Sequence, residues 1–115
     1  MKIKRWGIYL VNLDPNIGTK PGKVRPAVVV QSDIVNDTHH PSTVILPISS
    51  KTRNKDQFPL RVFIEQTESG LEKDSVILVD QILAWDNRRF IKQIGMLSRQ
   101  KSQQLESAIR DFFEL

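Results

Sequence analysis

The run Ala27-Val28-Val29-Val30, entered through Pro26 and left at Gln31, restricts the fold more than any other stretch. A strand with one face in water alternates apolar and polar residues, and this one does not. Residues 26–31 therefore predict a strand covered on both faces. Immediately upstream, Gly22-Lys23-Val24-Arg25 forms a cationic, glycine-hinged approach. Pro26 stiffens the junction, so Arg25 stands at the start of a buried strand rather than on a loose loop. A guanidinium held in that way suits a phosphate, because its planar fork donates two charge-assisted hydrogen bonds at once.

The other apolar segments are short and separated by turn chemistry. Residues 6–13, with Ile8, Tyr9, Leu10, Val11 and Leu13, predict a first strand that Asp14-Pro15-Asn16 ends. Residues 16–24 hold two glycines, a proline and two lysines, and predict a long loop of the kind that carries function. Residues 43–48 predict a strand in which Pro47 implies an edge position or a bulge. Residues 60–64 and 75–82 predict two more, separated by a turn at Ser69-Gly70, and residues 91–96 a last short one. The segments 32–42 and 49–59 are polar, the second also basic.

The period changes near the C-terminus. Leu105, Ala108, Ile109 and Phe112 recur at helical spacing with polar residues between them, and Ser98 is the expected N-cap. Five or more short strands with one closing helix predict a small, strongly bent antiparallel sheet or barrel. At 115 residues the expectation is one domain spanning 1–115.

Composition narrows the function. No apolar run approaches the roughly 20 residues needed to cross a bilayer, so no membrane role is expected. The basic N-terminus lacks the apolar segment of a secretory signal. With no cysteine there is no disulfide, thiolate metal site or cysteine nucleophile, which is compatible with a cytoplasmic protein. The net charge of +4 is unevenly spread: Lys2, Lys4, Arg5, Lys20, Lys23 and Arg25 face only Asp14 in residues 1–25. The rest of the chain is nearly neutral. A basic segment on a neutral body is the electrostatic footprint of a polyanion ligand.

Besides Arg25, two pairs of residues are candidates for chemistry. Ser49-Ser50 end the third strand, where small hydroxyls donate to a phosphate oxygen, help to move a proton, or cap a loop. Asp80-Gln81 interrupt an apolar stretch and need partners if buried. They either pair with Arg25 and orient it, or close a structural network. His39 and His40 titrate near neutrality, but residues 36–42 read as solvated loop. No grouping has the spacing of a metal shell or of a glycine-rich nucleotide loop, so neither metal nor cofactor is expected. Trp6, Tyr9, Phe58 and Trp85 are the rings able to stack on bases; the two tryptophans suit a core or a dimer contact better.

Leu13-Asp14-Pro15-x-x-Gly18, followed by Gly22-x-x-Arg25-Pro26-Ala27-Val28-Val29-Val30, resembles the opening of the MazF/PemK family of toxin endoribonucleases. Asn36, Pro47-Ile48-Ser49-Ser50, Asp74-Ser75-Val76-Ile77-Leu78-Val79-Asp80-Gln81, Asp86-x-x-Arg89 and Ile94-Gly95-x-Leu97-Ser98 follow in family order. The resemblance implies an SH3-like half-barrel of five to seven strands, CcdB/MazF-like, closed by a C-terminal α-helix and paired as a homodimer. It also implies the toxin of a type II toxin-antitoxin system, neutralised by a small acidic antitoxin. The implied reaction is metal-independent, sequence-selective cleavage of single-stranded RNA, chiefly mRNA. Attack by a 2′-hydroxyl leaves a 2′,3′-cyclic phosphate and a 5′-hydroxyl.

Carried over residue by residue, Arg25 matches the family's catalytic arginine, and Ser49 stands where many members have a catalytic threonine. Ser50, Asp80 and Gln81 match RNA-contacting positions, Asp80 being acidic in several members. Lys20 and Lys23 match the loop that covers RNA and is displaced by antitoxin. Two departures stand out. Ser49 keeps the hydroxyl without the β-branch that stiffens its rotamer, and Leu78 replaces an arginine found in some relatives. Asp80 and Arg25 both remain open as the general base. Two other readings on the same barrel are a DNA gyrase poison, whose group lacks the Gly-x-x-Arg-Pro stretch, and a catalytically silent RNA-binding module.

Overall fold

The computed structural model describes residues 1–14 and 23–115, so most of the loop expected over 16–24 lies outside the described residues. Within them, strand β1 (Gly7–Asn12) pairs antiparallel with β2 (Val24–Val29), which places Val11 opposite Arg25 and Tyr9 opposite Ala27. The expectation that β2 is covered on both faces is met, although the strand runs two residues earlier than 26–31. Val28 joins a core with Ile8, Leu46, Ile48, Ile77 and Leu105, while Ala27 and Val29 join a second with Tyr9, Val11, Ile45 and Phe90. Successive residues of one strand thus feed two cores on opposite faces of the sheet, and no polar residue fits between them.

On the far flank of β2 runs β3 (Ser42–Ser49), then the antiparallel pair β4 (Arg61–Ile64) and β5 (Ser75–Leu78). Two further strands are β6 (Leu83–Asp86) and β7 (Phe90–Met96), the latter bordering β1. Among the described residues these seven strands run in the order β4-β5-β3-β2-β1-β7, with β6 on the first half of β3. The single helical turns α1 (Asp33–Asn36) and α2 (Gln66–Ser69) lie in segments read from sequence as loop and turn. Ser32 caps the first, its hydroxyl accepting from the Ile34 amide at 3.1 Å.

Pro47 marks neither an edge nor a bulge, because β3 has neighbours on both flanks. Residues 42–45 pair with β6, and Ile48 and Ser49 pair with β5. The Val44 carbonyl accepts from Val30 on the β2 side. By alternation the Pro47 nitrogen faces the other flank, in the gap where β6 stops and β5 begins. No ladder bond is lost there.

The strand expected over 75–82 stops at Leu78 for a related reason. A 3₁₀ turn, Val79–Gln81, carries the chain from the β5 end of β3 to its β6 end. Val79 and Ile82 still pack into the first core, so the apolar run looks continuous while the backbone turns. β6, which follows, was not expected from the sequence.

At the C-terminus, α3 (Arg99–Phe113) is capped by Ser98, whose hydroxyl accepts from the Lys101 amide at 3.1 Å. Leu105 and Ala108 are fully buried in the first core, with Ile109 and Phe112 beside them. Tyr9 secures the other core. Its hydroxyl accepts from the Lys4 amide at 2.9 Å and donates to the Lys2 carbonyl at 3.1 Å. Burial pushes its phenol pKa above the ordinary 10. No helix among the described residues is long and apolar enough to cross a membrane.

One close approach fixes α2 against β7. A methyl built on Gly95 would overlap the Ser69 carbonyl, and one on Gly70, whose φ is +75°, would overlap the Ile94 carbonyl. Both obstacles are backbone, which cannot rotate away. Gly95→Ala is expected to lower stability by about 1–3 kcal/mol, as overpacking does. Urea unfolding checks this, and an unshifted midpoint would show that the contact has slack.

Candidate nucleic-acid interface

Arg25 is the second residue of β2, its backbone paired opposite Val11 and its side chain exposed. Alternation puts it on the sheet face that carries Ala27 and Val29. The β2–β3 ladder ends at the pair Ala27 and Pro47, after which β3 turns to β5. Carrying the same register two residues further makes Ser49 the counterpart of Arg25, on the same face. Both residues therefore stand on the rim where the two strands part. Ser49 is half-buried, and its hydroxyl accepts from the Lys51 amide at 3.1 Å, so it also caps the following loop.

A groove of about 420 Å³ opens beside this rim. Leu10, Pro26, Ile48 and Ile94 supply apolar surface, and Arg25, Lys73, Lys92, Ser50 and Glu72 bring charge and hydrogen-bonding capacity to it. The arrangement follows from register. Leu10 lies opposite Pro26 on one side and opposite Lys92 on the other, so three strands contribute one row. That row is on the sheet face opposite that of Ala27 and Val29; Arg25 reaches the groove from the rim, and Ser49 does not line it. An apolar floor with a cationic margin can hold a base against the floor while phosphates meet the margin.

Lys73 and Lys92 are groove residues that the sequence did not disclose. Lys92 lies on the short strand expected over 91–96, where nothing local marks it out, and Lys73 is flanked by Glu72 and Asp74. The β1–β7 pairing brings Lys92 to Arg25, and the segment between α2 and β5 brings Lys73.

Asp80 is engaged elsewhere. The Arg61 guanidinium meets its carboxylate at 2.6 Å and also donates to the Leu60 carbonyl at 2.8 Å. Of the two partners considered for Asp80, it is a structural network that holds it and not Arg25. Gln81 is half-buried in the same 3₁₀ turn, and neither residue lines the groove. Lys23 is exposed, directly before β2, and Lys20 lies outside the described residues.

His39 and His40 are exposed in the loop before β3. Tyr9 is wholly buried and Trp6 and Trp85 pack against the two cores, whereas Phe58 is 47% exposed. Among the described residues no three His, Asp or Glu side chains come together as a metal site.

Comparison with known proteins places this geometry. The family model of PemK-like, MazF-like toxins of type II toxin-antitoxin systems matches residues 4–113, and the chain belongs to that family. Among solved structures it is similar to the Mycobacterium tuberculosis toxin MazF-mt6, at 24% identity and a TM-score of 0.77, covering 95% of this chain and 97% of that one. It is likewise similar to MazF from Deinococcus radiodurans, at 18% identity and a TM-score of 0.81, covering 100% and 99% of the two chains. A third likeness, at 14% identity and a TM-score of 0.76, is to a mycobacterial endoribonuclease solved with its cognate antitoxin, covering 98% and 96%. At these identities the likeness establishes the fold, a mainly antiparallel β-sheet closed by a C-terminal helix.

The Arg61–Asp80 pair is half-buried, with side chains 19% and 29% exposed. Asp80→Asn is expected to cost about 1.5–3 kcal/mol of stability, the range for a hydrogen bond to a charged group. A double-mutant cycle with Arg61→Met in urea checks it; strictly additive losses would dissolve the pair as a stabilising unit.

Proposed function

We propose that this chain is the RNA-cleaving toxin of a type II toxin-antitoxin pair, acting on single-stranded RNA, chiefly mRNA, in the cytoplasm. The observation that carries the reading is Arg25, anchored by a doubly buried strand and lining a groove with an apolar floor and two further cations. Family membership and the basic character of residues 1–25 support it. A cognate acidic antitoxin and a second copy of the chain are the proposed protein partners. A polyanionic tail would compete with RNA for the same cations.

The chemistry needs little more than placement and charge. The 2′-oxygen loses its proton and forms a bond to phosphorus, the bond to the 5′-oxygen breaks, and that oxygen leaves protonated. Negative charge builds on the non-bridging oxygens between these events. A fixed guanidinium stabilises that charge without reorganising. Arg25 takes this role, with the Ser49 hydroxyl as its partner across the rim. Ser50, Lys73 and Lys92 hold the strand, with Lys20 and Lys23 from the family's RNA-contacting positions; Asp80 and Gln81, from the same set of positions, lie outside the groove.

Purified chain incubated with a long transcript in EDTA is expected to give discrete cuts ending in 5′-hydroxyls. Arg25→Ala should slow single-turnover cleavage roughly 30- to 1000-fold, equivalent to about 2–4 kcal/mol of transition-state stabilisation. An undiminished rate would remove Arg25 from the chemistry. Binding without any cleavage by the wild-type chain would point to a silent RNA-binding module, and gyrase inhibition without either would point to a gyrase poison.

The groove lysines predict a separate signature. Lys73→Ala and Lys92→Ala should each weaken binding similarly for all RNA sequences. Each should also reduce the slope of log K against log[salt] by about 0.7, the value for one phosphate contact on a single strand. Filter-binding titrations between low and physiological salt read this slope, and an unaltered slope would take the lysine off the backbone track.

A further inference from the structure

Outside the groove, a bracket of side chains grips the end of β1 opposite the start of β2. Past the last β1–β7 pair, Val11 with Phe90, the Asn12 carbonyl has no strand neighbour on that flank. The Trp85 indole N–H donates to it at 2.7 Å. Arg89, at the end of the 3₁₀ turn Asn87–Arg89, donates from Nη1 to the Asp14 carbonyl, also at 2.7 Å. Its guanidinium lies 6.0 Å from the centre of the Trp85 ring.

The residues so held reach directly across to β2. The Asp14 amide donates to the Asn12 side chain at 3.0 Å, the Leu13 amide donates to the Lys23 carbonyl at 2.7 Å, and the Asp14 carboxylate accepts from the Lys23 amide. Lys23 has φ of +66°, a left-handed conformation that a residue with a side chain rarely adopts. Such a conformation persists only where its surroundings over-determine it. Here it sits two residues before Arg25 and sets the angle at which β2 begins.

We infer that Arg89 and Trp85 are positioning residues for Arg25, acting through Asn12, Asp14 and the left-handed Lys23. The inference rests on the RNA-cleaving reading for its consequence but not for its geometry. Neither residue lines the groove, so their effect is to aim the guanidinium rather than to hold RNA. A misplacement at one remove from the reaction is enough to slow it, because charge stabilisation depends on where the donor stands.

The test uses the full chain with Arg89→Met, which keeps length and removes the donor, Arg89→Lys, which keeps a donor, and Trp85→Phe, which keeps a ring and removes only the N–H. Arg89→Met and Trp85→Phe are expected to slow single-turnover cleavage at saturating RNA roughly 10- to 100-fold. Affinity and salt slope for an RNA blocked by 2′-deoxy substitution should stay at wild-type values, and Arg89→Lys should recover most of the lost rate. Amide exchange at Leu13 and Lys23, followed without RNA, should quicken in both donor-deleting variants. Wild-type cleavage by Arg89→Met, a reduced salt slope, or unchanged exchange would each overturn the inference. A wild-type chain that cleaves no RNA would instead defeat the functional reading, while the exchange measurement would still decide the bracket.

Discussion

Because Ala27, Val28 and Val29 have no accessible surface, β2 cannot serve as an edge or as the outer face of anything. Each side of it needs its own cover. On one side α3 and the β4–β5 pair supply Leu105, Ala108, Val62 and Ile77; on the other, Tyr9, Ile45 and Phe90 close over it. Burying an aliphatic side chain of this size contributes about 1.5–3 kcal/mol, so the middle of β2 is among the costliest parts of the molecule to displace. Arg25 is attached to that part by two peptide bonds. Its backbone inherits the strand's rigidity, while its side chain remains at the rim.

The rim itself exists because β3 serves two neighbours on one flank. A strand that paired with one partner along its whole length would keep the sheet even. Pro47 removes the donor at the place where β6 hands over to β5, and the β2–β3 ladder stops at the same residue. The gap that results is where Arg25 and Ser49 stand. The same proline therefore lets one strand serve two neighbours on that flank without leaving a ladder donor unpaired.

Much of this was legible in the sequence, and the misses share a cause. Single-strand features came through: the unalternating run of β2, the helical spacing of Leu105, Ala108, Ile109 and Phe112, the cap at Ser98, and the anchored cation at Arg25. What depends on how strands pair did not. Pro47 looked like an edge because its missing N–H cannot be assigned to a flank without knowing both neighbours. Residues 75–82 looked like one strand because Val79 stays buried and Ile82 half-buried through a turn that the hydrophobic pattern does not register. β6 escaped notice because its burial is only partial along its length. Lys92 gained its place from a register row through Leu10 and Pro26, and of the two roles left open for Asp80 only the pairing could decide, through Arg61, 19 residues away.

The groove's three cations are held by unlike means, and the difference bears on how well they can grip a ligand. Ordering a long side chain on binding costs free energy, and less of it when the backbone beneath is already fixed. Arg25 is fixed by a buried strand and Lys92 by the β1–β7 ladder. Lys73 belongs to a connecting segment held by the close approach of Gly70 to β7 three residues earlier and by the Ser75 hydroxyl, which donates to the Lys73 carbonyl at 2.9 Å. Any side chain at either glycine would push the segment off β7 and carry Lys73 with it. The requirement for glycine at residue 95 is thus at once a packing constraint and a condition on the groove, because it lets the segment that leads to Lys73 lie against β7.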